Sequence, residues 1–319
     1  MKAVWLENNQ LSYRTDFPAP QPGPDEALVK VSLAGVCATD LELVKGYYPY
    51  RGIPGHEFVG SIVQAPGQPQ RVGQRVVGEI NLSCGKCPTC LAGRKSHCPQ
   101  RTVMGIAGHH GAFAEYVCLP LVNLIRVPDA VSNDAAVFVE PLAAALEIRE
   151  QIPISAADHV LVLGAGRLGQ LVAQSLIPTG CNLKVAARYE KQQKLLAQKN
   201  VNIIVEQAIS ENAFDIVIEA TGSPEGFFQA QKAVRPRGTI VLKSTYKGDV
   251  QLNLSSIVVD EITIVGSRCG PFIPALALLE SRQVDPSGLI DARYPLDDAL
   301  KAVDHAARPG ALKVILAMS

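Results

Sequence analysis

Hydrophobic and polar positions follow two rhythms along this chain, and the change falls between residues 135 and 159. In the first stretch apolar residues come in short bursts. Ala27, Val29, Val31 and Leu33 alternate with polar neighbours, and Phe58 to Val63 and Arg75 to Ile80 form further runs closed by glycine or proline. Alternation with period two lays one face of a strand on a core and turns the other to water, so residues 1 to about 135 read as a β-barrel or sandwich. A short helix is expected from Ala38 to Lys45, capped by Thr39 or Asp40, with Cys37 at its entrance. Ser132-Asn133-Asp134 signals another helix start, and Pro141 bends or restarts that helix, leaving Glu140 at a discontinuity.

From His159 the apolar runs become continuous. Val160 to Leu163, Leu183 to Ala186, Asp215 to Ile218 and Gly238 to Leu242 alternate with helical segments such as Gln170 to Ile177 and Tyr189 to Lys199. Strands that are apolar on both sides, separated by helices, predict a parallel sheet covered on both faces, so the fold class is α/β. Ile262 to Gly266 reads as the last such strand. Helices from Ile273 to Gln283 and Leu296 to Ala306 and a strand from Lys313 to Leu316 follow it.

Composition narrows the partner. Among 319 residues, 47% are hydrophobic and 19% charged, and 30 basic residues cancel 30 acidic ones. No global field favours nucleic acid or an anionic membrane, which leaves a small molecule. Lys2, Glu7 and Asn8 interrupt any signal-peptide core, and no apolar run reaches membrane-spanning length, so a cytoplasmic protein is expected. Of eight cysteines, four crowd between Cys84 and Cys98, a distribution that suits metal ligation in a reducing compartment better than disulfides. Cys118, Cys181 and Cys269 read as core thiols.

Three motifs carry chemistry. Cys84, Cys87 and Cys90 form two overlapping C-x2-C turns, and Cys98 returns eight residues later. Four thiolates close a tetrahedral zinc to substrate, so this site is structural. Cys37 with Thr39, and His56-Glu57, supply a thiolate, an imidazole and a carboxylate with a hydroxyl alongside, and Glu140 offers a second carboxylate. Three protein ligands with one open position make a catalytic zinc. Gly164-Ala165-Gly166-Arg167-Leu168-Gly169 follows an expected strand and opens an expected helix, as a dinucleotide-binding turn does. The acid expected about twenty residues further on is replaced by Arg188, which favours the 2′-phosphate of NADP; a plain ribose held by Glu190, with NAD as cofactor, is the alternative.

Taken together, these motifs make the whole chain resemble the zinc-dependent medium-chain alcohol dehydrogenases. The resemblance also takes in Gly111 to Tyr116 and Glu219-Ala220-Thr221-Gly222, and Glu140-Pro141-Leu142 looks like the branch of sorbitol, threonine and glucose dehydrogenases. It implies a GroES-like β-barrel catalytic domain, residues 1–143 and 271–319, interrupted by a Rossmann domain at 144–270 with the active site in the cleft between them. It further implies a homodimer or homotetramer, and adds Thr221 to the cofactor-binding residues.

The expected reaction transfers a hydride between an alcohol (a secondary alcohol, polyol or sugar) or its carbonyl and the nicotinamide. Thr39 is placed to carry the alcohol proton. One thiolate and one carboxylate neutralise Zn²⁺, so Glu57 and Glu140 are expected to exchange or to divide between direct ligand and supporting group. A zinc-free quinone or enone reductase of the same superfamily and a non-catalytic nucleotide-binding protein are the rival readings.

Overall fold

The computed structural model describes residues 1–246 and 248–318; Lys247 and Ser319, the last residue of the expected catalytic domain, lie outside the described set. The chain forms two compact units, Met1–Glu140 with Phe272–Ser319, and Pro141–Pro271.

The first unit is built on one seven-stranded sheet. Its path runs Leu124–Arg126, Arg75–Gly78, Glu57–Gln64, Glu26–Val36, Lys313–Ala317 and Ile290–Pro295, and Tyr116–Pro120 also pairs with Glu26–Val36. The eleven-residue strand Glu26–Val36 organises it. Along one edge its first half pairs with Tyr116–Pro120 and its second half with Lys313–Ala317, while Glu57–Gln64 runs along the other. Register shifts between Leu28 and Val29 and between Val31 and Leu33 bend it. Such irregularities increase local twist and let a sheet curl towards closure. Val29, Val31, Val59, Ile62, Val76 and Leu119 are buried in the core. The period-two pattern fades after Leu33 because Ala34 and Val36 are buried as well.

The second unit is a six-stranded parallel sheet in the order Asn202–Ile204, Asn182–Ala186, His159–Leu163, Phe214–Glu219, Val234–Leu242, Thr263–Gly266. Sequence order reverses between His159–Leu163 and Phe214–Glu219, which is where a doubly wound sheet opens its ligand crevice. Leu161, Leu163, Phe214, Val217 and Ile240 pack in its core. The helices Arg167–Leu176 and Pro224–Ala233 pack on these strands.

Several elements depart from the sequence reading. The chain opens with a hairpin, Ala3–Glu7 against Gln10–Arg14, turned by Asn8 and Asn9 at φ 50° and 61°. Asparagine tolerates positive φ in a two-residue turn, so that signal was present but went unread. The helix Ala38–Val44 is capped by the extended backbone of Cys37, not by Thr39 or Asp40; Asp40, three residues in, closes the cap by accepting the Cys37 N–H at 2.8 Å. The expected helix at Leu296 starts as a 3-10 turn, with the α-helix running Ala299–Ala306. Cys118, Cys181 and Cys269 are half-buried, not core.

Candidate metal centres and cofactor-binding loops

Cys84, Cys87, Cys90 and Cys98 form one cluster. Cys87 caps the short helix Pro88–Leu91, which carries Cys90 inward, and the 3-10 turn Lys95–His97 brings Cys98 back. Four Sγ separations are 3.5 Å (Cys87 to Cys90), 3.6 Å (Cys98 to Cys84), 3.8 Å (Cys87 to Cys98) and 4.0 Å (Cys84 to Cys90). A Zn–S bond of about 2.3 Å in a tetrahedron requires sulfurs about 3.8 Å apart, whereas a disulfide requires about 2.05 Å. The lobe therefore fits zinc. Backbone N–H groups of Lys86 and Cys87 draw the Cys84 thiol down to about 6, while burial and the neighbouring sulfurs push Cys90 up to about 11.

A second group brings together Cys37, His56 and Glu57, whose ligand atoms all lie within 4.8 Å of one another. Asp40, 3% exposed, ties the two ligand-bearing segments together. One carboxylate oxygen takes the Cys37 N–H; the other accepts the Gly55 N–H at 3.2 Å and stands 3.3 Å from His56 Nδ1. Among the described residues, His56 Nδ1 is the buried side-chain polar atom left without a hydrogen bond. A carboxylate beside Nδ1 favours the proton there and leaves Nε2 as a lone-pair donor. Burial alone would lower the imidazole's pKa, but Asp40 and Cys37 together raise it well above the usual range. The same negative surroundings that hold a proton there suit a metal cation, so this donor set fits an ion too.

The sequence reading missed the partner of Glu57. Lys313 Nζ donates to Glu57 Oε2, both side chains being 1% exposed, and lies 5.7 Å from the centre of the Phe138 ring. Lys313 arrives on the strand Lys313–Ala317, and Glu57 opens the strand Glu57–Gln64, each pairing with Glu26–Val36. Gly35 on that central strand leaves room for the pair. A Cβ there would lie 2.4 Å from Glu57 Oε2 and 3.2 Å from the Lys313 chain. The signal available in the sequence was a lysine opening an otherwise apolar strand.

Glu140 is half-buried in the first turn of the helix Val139–Gln151 and does not join the close Cys37, His56 and Glu57 group. Thr39 Oγ1 lies 3.8 Å from Cys37 Sγ. In the segment after the helix Ala38–Val44, Tyr50 Oη is shared between the carbonyls of Ile53 and His109, at 2.7 and 2.9 Å, so it serves loop packing. Tyr47 and Tyr48 are exposed.

In the second unit the three glycines of the fingerprint turn have three different reasons. Gly164, at φ 94°, would put a Cβ 2.7 Å from the Ala220 carbonyl, and Gly169 would put one 1.9 Å from the Gly164 carbonyl. A Cβ on Gly166 would meet nothing within 4 Å, so this backbone faces open space just where the helix Arg167–Leu176 begins. Ala165 and Gly169 are buried, while Arg167 and Leu168 are half-buried in the first helical turn. A helix N-terminus with open backbone in front of it fits a pyrophosphate. Arg188 follows the strand Asn182–Ala186 and pairs with Glu206 at 3.0 Å; Glu190 pairs instead with Lys194 at 2.7 Å. Thr221 and Gly222 are exposed after the strand Phe214–Glu219.

Comparison with known proteins agrees with both units. The alcohol dehydrogenase GroES-like domain matches residues 23–129, and the zinc-binding dehydrogenase domain matches residues 168–281. The sorbitol dehydrogenase of Halalkalibacterium halodurans is 30% identical over 322 residues, covering 94% of this chain and 93% of its own. A protein of Sinorhizobium meliloti 1021 described as a zinc-binding dehydrogenase, solved bound to NADP, superposes with TM-score 0.89 at 30% identity, over 99% of this chain and 98% of that one. A short chain alcohol dehydrogenase of Escherichia coli CFT073, solved with NADH, gives TM-score 0.90 at 28% identity over 99% of each chain. With its GroES-like and Rossmann-type units, the chain belongs to the zinc-dependent medium-chain alcohol dehydrogenase family of oxidoreductases. Among the described residues, no helix is long and apolar enough to cross a membrane.

Proposed function

We propose that the chain interconverts a secondary alcohol, polyol or sugar and its carbonyl by hydride exchange with NADP, with NAD as the alternative cofactor. The observation that carries this reading is the convergence of Cys37, His56 and Glu57 on one point while Lys313 cancels the charge of Glu57. Zinc held at Cys37 and His56 would supply Lewis acidity, lowering the pKa of an alcohol towards neutrality or polarising a carbonyl. Because Glu57 is already neutralised, its carboxylate serves best as a supporting charge, and Glu140, in the first turn of the helix Val139–Gln151, is assigned to balance the ion together with Cys37. The Asp40 carboxylate, 3.3 Å from His56 Nδ1, favours the proton on that nitrogen and leaves Nε2 as the donor. The Thr39 hydroxyl, 3.8 Å from the Cys37 sulfur, can relay the alcohol proton, accepting it on a lone pair while passing its own O–H proton on to solvent, with the reverse transfer in the opposite direction. Cys84, Cys87, Cys90 and Cys98 would hold a second, structural zinc.

The pyrophosphate is assigned to the turn from Gly164 to Gly169, with Thr221 on the nicotinamide side and Arg188 on the adenosine side. Arg188 supports NADP, and Glu206 would release it to meet a 2′-phosphate. In this reading Met1–Glu140 with Phe272–Ser319 is the catalytic domain and Pro141–Pro271 the cofactor domain. Homo-oligomerisation is supported by the edge strand Thr263–Gly266, where Ile264 is 37% exposed, and by the preceding helix, where Val258 and Val259 are 73% and 78% exposed. Free thiols suit the reducing cytoplasm.

The test is metal content together with oxidation of NADPH and NADH against a panel of ketones and aldehydes. Zinc-dependent carbonyl reduction, faster with NADPH, is expected. Undiminished turnover of enones or quinones after zinc removal would favour a zinc-free reductase instead.

A further inference from the structure

Glu219 is a carboxylate that the site described so far does not use. It ends the strand Phe214–Glu219, is 2% exposed, and stands in register with Leu163 and Leu242, the last residues of the two flanking strands. The carboxyl edge of the sheet is thus level on either side of it, at the point where strand order reverses. One oxygen, Oε1, accepts three hydrogen bonds: the Thr221 N–H at 2.7 Å, the Thr221 hydroxyl at 2.6 Å and the Ser244 hydroxyl at 3.0 Å. Ser244 Oγ in turn accepts the Gly222 N–H at 2.8 Å. The turn after Phe214–Glu219 and the segment after Val234–Leu242 are therefore joined through Glu219 Oε1 and Ser244 Oγ. The neighbouring helix leaves space for it, since a Cβ at Gly226 would lie 2.1 Å from Thr221 Oγ1 and 2.6 Å from Glu219 Oε1. The fingerprint turn abuts the same loop, the Ala220 N–H donating to the Leu163 carbonyl at 2.9 Å just before Gly164.

We propose that Glu219 is a positioning residue for the dinucleotide. It touches no ligand, but it fixes the exposed Thr221–Gly222 backbone at the level of the fingerprint turn, and so sets where the nicotinamide half rests. This rests on the dinucleotide-binding reading above. A glutamine in its place keeps an acceptor oxygen but loses the charge that lets one atom hold three donors. Replacing Ser244 by alanine cuts the link between the two loops and leaves both Thr221 bonds intact.

The experiment uses the full zinc-loaded chain and measures binding of NADPH and NADH by fluorescence and of AMP by calorimetry. AMP probes the adenosine half alone. Glu219→Gln should weaken both dinucleotides about tenfold and Ser244→Ala a few-fold, the worth of one or two hydrogen bonds, with AMP affinity unchanged. Ser244→Ala carries the test alone if Glu219→Gln does not fold. Dinucleotide affinities equal to those of the parent chain would overturn the proposal, as would an equal loss of AMP binding, which would mean a fold-wide effect. A parent chain that binds neither dinucleotide would overturn the underlying reading itself.

Discussion

The two groups of this chain that could hold a metal ion are built in opposite ways. The four cysteines lie within fifteen consecutive residues, on a lobe whose helices are a turn long, and every ligand is a thiol. The Cys37 group mixes a thiol, an imidazole and a carboxylate, gathered by a buried aspartate and countered by a lysine 256 residues away from the glutamate it meets. The first arrangement closes an ion off and holds a local segment in shape. The second lies at the ends of two paired strands, with Cys37 following Glu26–Val36, Glu57 opening Glu57–Gln64 and Lys313 balancing Glu57, so three mixed donors would leave a coordination position open. Where stability depends on the ion, the ligands are uniform and local; where chemistry depends on it, they are mixed and held by the surrounding fold.

That contrast can be broken from either side. The largest effect is expected for Cys98→Ala, since a structural zinc contributes on the order of 10 kcal/mol in small domains. Calorimetry should show a loss on the order of 5 kcal/mol or more and one zinc fewer, and a thermal midpoint like that of the parent chain would remove the lobe's structural role. Next, Cys37→Ser should lower turnover at least about a thousandfold, roughly 4 kcal/mol in the barrier, while leaving the midpoint and NADPH binding in place; a fully active variant would take Cys37 out of the site.

Lys313→Met should cost about 3 to 5 kcal/mol by chemical denaturation, because it strands a buried carboxylate. Adding Glu57→Gln should restore at least half, and strict additivity of the two would show that the pair is not coupled. The smallest change is Arg188→Asp, which should move cofactor preference towards NAD(H) by about tenfold, and an unaltered NADPH to NADH ratio of kcat/KM would discard Arg188 as the discriminator.

What could be read in the sequence follows the same division. The cysteine lobe and the glycine turn were legible because their function lies in spacing over a few residues, and the continuous apolar strands announced the parallel sheet. Cys37 and His56 were legible as residue types. Their supports were not: Lys313 becomes a partner of Glu57 only when two strands pair with the same central strand, and no local pattern records that. Asp40 was read as a helix cap; it stands three residues inside the helix and accepts from Cys37 and Gly55 at once. Glu206 escaped notice because the strand before it, Asn202–Ile204, has only three residues. The hairpin at the start was legible in its Asn8-Asn9 turn and was missed all the same.

In the proposed function one chain holds two zinc ions of unequal status, one closed and structural, the other open and catalytic. Zinc content followed during brief treatment with a chelator, alongside turnover and circular dichroism, tests it directly. The expected result is two equivalents per chain, loss of one together with all turnover, and an unchanged spectrum until the second is removed. A chain that carries a single equivalent, or keeps its turnover after the labile ion has gone, would contradict the account.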